Sequence, residues 1–180
     1  MKRQFQAQRL DVRAFAEDAA ELAGPTPLTV LERLAAEARS SVEGREVTWT
    51  AEGELQNAGH LQPEVWLHLH AQASLPMTCQ RCMEPVEVPL EVDRSFRFVA
   101  DETTAAAEDE ESEEDLLVLS QAFDLLGLLE DELLMEVPVV PRHDVCPVPV
   151  PMSSADAAYE EAPEKPNPFD ALKALKTRPE

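Results

Sequence analysis

Residues 65–92 read VWLHLHAQASLPMTCQRCMEPVEVPLEV, and their alternation decides the fold. Val65, Leu67, Leu69 and Ala71 fall on one side of an extended chain, with Trp66, His68 and His70 on the other. Val86, Val88, Leu90 and Val92 alternate with Glu87, Pro89 and Glu91 in the same way. A period of two with one apolar set is the pattern of a strand that buries one face. The two runs flank Cys79, Gln80, Arg81, Cys82, Met83, Glu84 and Pro85, so the cysteines sit on a knuckle between the strands of a hairpin. Pro89 has no N–H to give a ladder, which predicts a sheet edge or a bulge in the second run.

Outward from the hairpin, near-alternating sequence begins at Glu46, and Leu116 to Leu119 returns as a further strand, so an antiparallel sheet is expected from about Glu46 to Leu119. Upstream, Asp11 is placed to cap a helix running to Leu22. Gly24, Pro25, Thr26 and Pro27 break the chain, and Thr26 with Pro27 suits the first two positions of a second helix carrying Val30, Leu31, Leu34, Ala35 and Ala38. Residues 101–115 hold nine acidic and no basic side chains and read as a disordered loop. Asp124 caps a helix through Met135 whose Leu125, Leu126, Leu129 and Leu133 give it an apolar side. The prolines at 138, 141, 147, 149 and 151 force an extended strap. The expectation is one α+β domain over 1–160 and a flexible tail over 161–180, where Asn167 caps a short amphipathic helix bearing Phe169, Leu172 and Leu175.

Cys79 and Cys82 are spaced to grip one tetrahedral ion from a single turn, and His143 with Cys146 follows about 60 residues later. The four make a candidate ligand set for one structural zinc, which would staple the strap to the hairpin. The alternative is that Cys79 and Cys82 are small buried thiols shaping a tight turn while Cys146 packs under the strap. A redox pair fits less well, since that chemistry wants the first thiolate at a helix N-terminus and this motif runs into strand sequence. His60 suggests no site, and His68 and His70 read as a solvated or partly covered strand surface rather than a second metal site; Trp66 on the same face could stack on a base, though such a tryptophan is more often buried under a neighbouring helix.

A net charge of −21 over 180 residues repels phosphate backbones in bulk and attracts basic partners. Positive charge gathers locally at Lys2, Arg3, Arg9 and Arg13, at Arg81 on the knuckle tip, and at Lys173, Lys176 and Arg178 in the tail. Three cysteines and an N-terminus without an apolar leader point to a reducing cytoplasm. No stretch approaches the roughly 20 apolar residues that cross a bilayer. No nucleophile stands beside a base in any recognisable motif, and five glycines build no phosphate loop, so catalysis is not expected.

The ordered set of Cys79 to Pro85, the acidic stretch, Asp124 to Leu134, Val137 to His143, Cys146, and Lys165 to Leu175 resembles the YceD family. That resemblance implies a non-catalytic factor needed for accumulation of large-subunit (23S) ribosomal RNA. Its direct partner is either that RNA, met at Arg81 and the basic ends, or a basic ribosomal protein that the acidic chain shields, and Phe169 and Leu172 on the tail helix are candidate contacts to RNA or partner. A zinc-stabilised structural module of another complex is the remaining alternative, and neither DNA nor a membrane is an expected partner.

Overall fold

A computed structural model of the chain describes residues 3–61, 63–110, 112, 114–150, 154 and 169. The chain divides into two compact units, Met1–Val148 and Pro149–Glu180. The tail helix expected over 161–180 lies outside the described residues, Phe169 excepted.

The first unit is an α+β fold on one sheet in the order β1-β2-β3-β4-β5. The central hairpin is β3 (Glu64–Thr78) and β4 (Pro85–Val99), paired in register from Val65 opposite Phe98 to Thr78 opposite Pro85. Strand β2 (Glu46–Gln56) reaches only as far as Gln72 on β3. The distal half of the hairpin therefore projects past β2 and carries the cysteine knuckle. Val65, Leu67, Leu69 and Ala71 are buried as the alternation predicts, together with Val86, Val88, Leu90 and Val92. Pro89 faces Ser74 on β3, in the part of β4 where no second neighbour asks for its missing N–H.

The expectations for the N-terminal segment are corrected. Helix α1 (Val12–Glu17) begins at the Asp11 cap, whose carboxylate accepts from the Ala14 N–H, but it ends well short of Leu22. Ala19 takes a left-handed φ of 43°, and Glu21–Pro27 becomes edge strand β1 against β2. Pro25 and Pro27 are tolerated because an edge strand has one side free of ladder bonds. Thr26 caps no helix, since its buried hydroxyl accepts from Trp49 Nε1 at 2.8 Å. After a 3-10 turn at Leu28–Val30, α2 spans Glu32–Glu37.

The sheet is mixed and not wholly antiparallel, for β5 (Asp115–Val118) runs parallel to β4. Parallel neighbours need a long crossover, and residues 100–114 supply one. The acidic stretch is accordingly not a structureless loop. It holds α3 (Glu102–Glu108), capped by Asp101 on Thr104 and carried by three alanines, the best helix formers.

Helix α4 (Leu125–Met135) follows its Asp124 cap as expected, with Leu125, Leu129 and Leu133 fully buried. Its Glu130 accepts from the Arg33 and Leu34 N–H groups at 2.7 and 3.1 Å, capping α2, which has no side-chain cap of its own. Helix α1 lies so close to β2 that a Cβ on Gly53 would stand 2.6 Å from the Phe15 ring and 2.9 Å from the Ala16 nitrogen.

Candidate metal centre

The six residues between β3 and β4 fold back through two backbone bonds, Cys79 N–H to Glu84 O and Met83 N–H to Cys79 O, both 2.9 Å. Met83 occupies the left-handed region at φ 64°, which reverses the chain directly after Cys82. The strap after α4 is clasped to this knuckle. Gln80 N–H donates to Pro141 O at 2.8 Å, and the Arg81 guanidinium donates to His143 O at 2.6 Å and Asp144 O at 3.2 Å. Arg81 thus turns toward the strap, where a free outward side chain was expected.

The clasp assembles the predicted ligand set. The donor atoms of Cys79, Cys82, His143 and Cys146 all lie within 4.8 Å of one another. Cys79 Sγ is 4.0 Å from Cys146 Sγ, and Cys82 Sγ is 3.5 Å from His143 Nδ1. A tetrahedral ion with Zn–S near 2.3 Å and Zn–N near 2.0 Å separates its ligands by about 3.8 Å for two sulfurs and about 3.5 Å for sulfur and nitrogen. The side chains therefore form a group that could hold one metal ion without rebuilding the loop.

The surroundings favour thiolates. Cys79 is fully buried. Burial pushes its thiol up, but the N–H groups of Cys82, His143 and Arg81 outweigh that and bring it down to about 5. The His143 amide donates to its sulfur at 3.4 Å. Arg81 Nε donates to Cys146 Sγ at 3.0 Å, a hydrogen bond from outside the ligand shell of the kind that fixes a metal-bound sulfur. Cys82 moves the other way, pushed up by burial and by the neighbouring Cys79 and Cys146 sulfurs. The first thiol lies on a hairpin loop and not at a helix N-terminus, unlike a dithiol redox motif.

Other candidate residues are placed differently. Arg3, Arg9 and Arg13 line one groove beside α1. Lys2, Leu172, Lys173, Lys176 and Arg178 lie outside the described residues, and Phe169 stands in a turn. His68 bonds Ser95 and Glu54 at 2.8 Å each, and Trp66 stacks on its ring. Glu52 and Ser95 lie directly across from His68 in the sheet, Asp93 across from His70, and Glu54 and Arg97 across from Trp66. Arg94 pairs with Asp115 and Arg97 with Glu108, as balancing charges. Sequence reasoning missed the backbone bond from Gln80 and the inward turn of Arg81. Both depend on contacts across about 60 residues, which leave no local periodicity to read.

Residues 67–176 match the family described as large ribosomal RNA subunit accumulation protein YceD. The chain belongs to the YceD family. The matched stretch opens in β3 and takes in the hairpin, the crossover, α4 and all four residues of the group that could hold a metal ion. A large ribosomal RNA subunit accumulation protein YceD of Haemophilus influenzae is 34% identical over 109 residues, covering 59% of this chain and 63% of that relative. The chain thus spans less than two thirds of the relative's length. No solved structure matches. The YceD family is named for accumulation of an RNA and not for a reaction, and among the described residues no helix is long and apolar enough to cross a membrane.

Proposed function

We propose that this chain is a non-catalytic, cytoplasmic ribosome-biogenesis factor that supports synthesis, processing or accumulation of 23S ribosomal RNA. The observation that carries the reading is the family match over residues 67–176. The metal-binding group deepens it: Cys79, Cys82, His143 and Cys146 hold one structural zinc. Four protein ligands would fill a tetrahedral ion and leave no position for substrate or water, which is the arrangement of a structural site. When bound, zinc supplies a crosslink between hairpin and strap. The residues do the rest, with Arg81 and the Gln80 amide holding the strap in place for ligation.

Deletion of the gene in its host, followed by quantification of 23S against 16S RNA, tests the reading. The expected outcome is a deficit of 23S RNA that the plasmid-borne gene restores. Unchanged 23S RNA in the deletion strain would refute it.

The net charge of −21 favours a second reading, in which the directly bound molecule is a basic ribosomal protein. The open sheet face offers Glu21, Glu52, Glu54, Glu91 and Asp93 for it, all exposed. Ultraviolet crosslinking in cells separates the two, since RNA reads clustered on one 23S region require direct contact with RNA.

A further inference from the structure

Several of the described arginines are committed. Arg33, Arg45, Arg94 and Arg97 pair with carboxylates, and Arg81 bonds the strap. Arg9, Arg13, Arg39 and Arg142 enter no ion pair among the described residues and are all exposed, and of these Arg9 and Arg13 share one groove of about 780 Å³. Arg3 joins them, bonded to Ala14 O and Glu17 at 3.4 Å each. The groove is otherwise rich in neutral donors and acceptors, with Gln6, Ser120 and Gln121 on its walls. Two acids also line it, and both have partners, Asp11 capping α1 through the Ala14 amide and Glu17 facing Arg3.

The groove is held from beneath. Leu10 and Phe123 exchange backbone hydrogen bonds of 2.8 and 2.9 Å, Leu125 N–H donates to Ala7 O at 2.8 Å, and Val12 N–H donates to Ser120 O at 3.4 Å. Leu10 and Val12 are fully buried. The segment bearing Arg9 and Arg13 is therefore stitched to the β5–α4 connection, which fixes the backbone of both residues before any ligand arrives. Two unpaired guanidiniums on a fixed backbone, in a chain this acidic, mark a place where negative charge is taken up. Planar guanidiniums beside amide side chains are the chemistry that grips phosphate and sugar.

We infer that the groove formed by Arg3, Arg9 and Arg13 is the direct RNA-contact site of this chain and binds backbone phosphates of the large-subunit ribosomal RNA. The inference rests on the reading under Proposed function and names the ligand and place that it leaves open. The arginines precede residues 67–176, the stretch matched by the family.

The test uses the full chain and transcribed fragments tiling 23S RNA, with affinity measured by fluorescence anisotropy across a salt series. Removing one arginine–phosphate pair flattens the slope of log affinity against log salt by about 0.7 for a single strand, so Arg9→Ala/Arg13→Ala is expected to flatten it by about 1.4 and weaken binding. Arg9→Lys/Arg13→Lys keeps both charges and is expected to keep the slope, which separates missing phosphate binding from misfolding. Equal affinity and slope in parent and alanine variant overturn the inference. So does a parent chain that binds no fragment yet restores 23S RNA in the deletion strain; that outcome leaves the proposed function standing with a protein as its ligand. A parent that binds through the two arginines but makes no difference to 23S RNA in cells refutes the proposed function and leaves the groove an RNA site.

Discussion

Glu132 carries a carboxylate where the packing of α4 disfavours charge. Burial is the largest influence and raises its pKa above the usual carboxylate range; Arg94, 3.8 Å away, opposes this, while Asp115, Asp131 and Glu136 add to it. An acid whose pKa is higher folded than unfolded stabilises the fold only while protonated, so that contribution is present below the unfolded value and is lost as pH rises through the folded one. The variant Glu132→Gln is expected to melt above the parent at pH 7, with the gap closing toward pH 4. Melting curves at both values check this, and a variant less stable than the parent at pH 7 would show that the Arg94 contact outweighs the burial.

At the scale of elements, the cap from α4 onto α2 decides whether a six-residue helix persists, since a helix so short is unstable alone. Glu130 meets two N–H groups of α2 and the Arg33 side chain, with Nε to Oε2 at 2.9 Å. Replacing it with Ala removes the cap and leaves those donors unmet, at an expected cost of about 2–3 kcal/mol. Glu130→Gln keeps one acceptor and is expected to cost less. Chemical denaturation gives both values, and an alanine variant within about 0.5 kcal/mol of the parent, the range of ordinary surface substitutions, would contradict the cap. This interaction also shows what the sequence hid. Strands β3 and β4 and helix α4 were legible because a one-sided burial pattern and an Asp cap are local signals. Strand β1 was not, for Glu21 to Pro27 has a weak strand propensity and is extended only because β2 pairs with it. Helix α3 was hidden by charge, and the parallel placing of β5 by its dependence on that crossover. The four candidate ligands were legible as two short spacings. Their meeting was an expectation that only the Arg81 and Gln80 clasp explains.

For the whole molecule, a charge of −21 means self-repulsion that exposed ion pairs such as Arg45 with Glu87 offset little. Screening should relieve it, so the melting temperature is expected to rise between 20 mM and 500 mM sodium chloride, concentrations at which the Debye length falls from roughly 20 Å to roughly 4 Å. A flat or falling trend would mean that the buried core and the clasp, and not long-range charge, limit stability. The clasp is where hairpin, strap and ligands become one structure, and the proposed zinc is what closes it. Elemental analysis of the chain purified without chelator, beside Cys146→Ser, puts that to the test. We expect one zinc per parent chain, with the variant losing the ion and several kcal/mol of stability. A metal-free parent that melts together with the variant would contradict the zinc centre and leave the three cysteines as packed thiols.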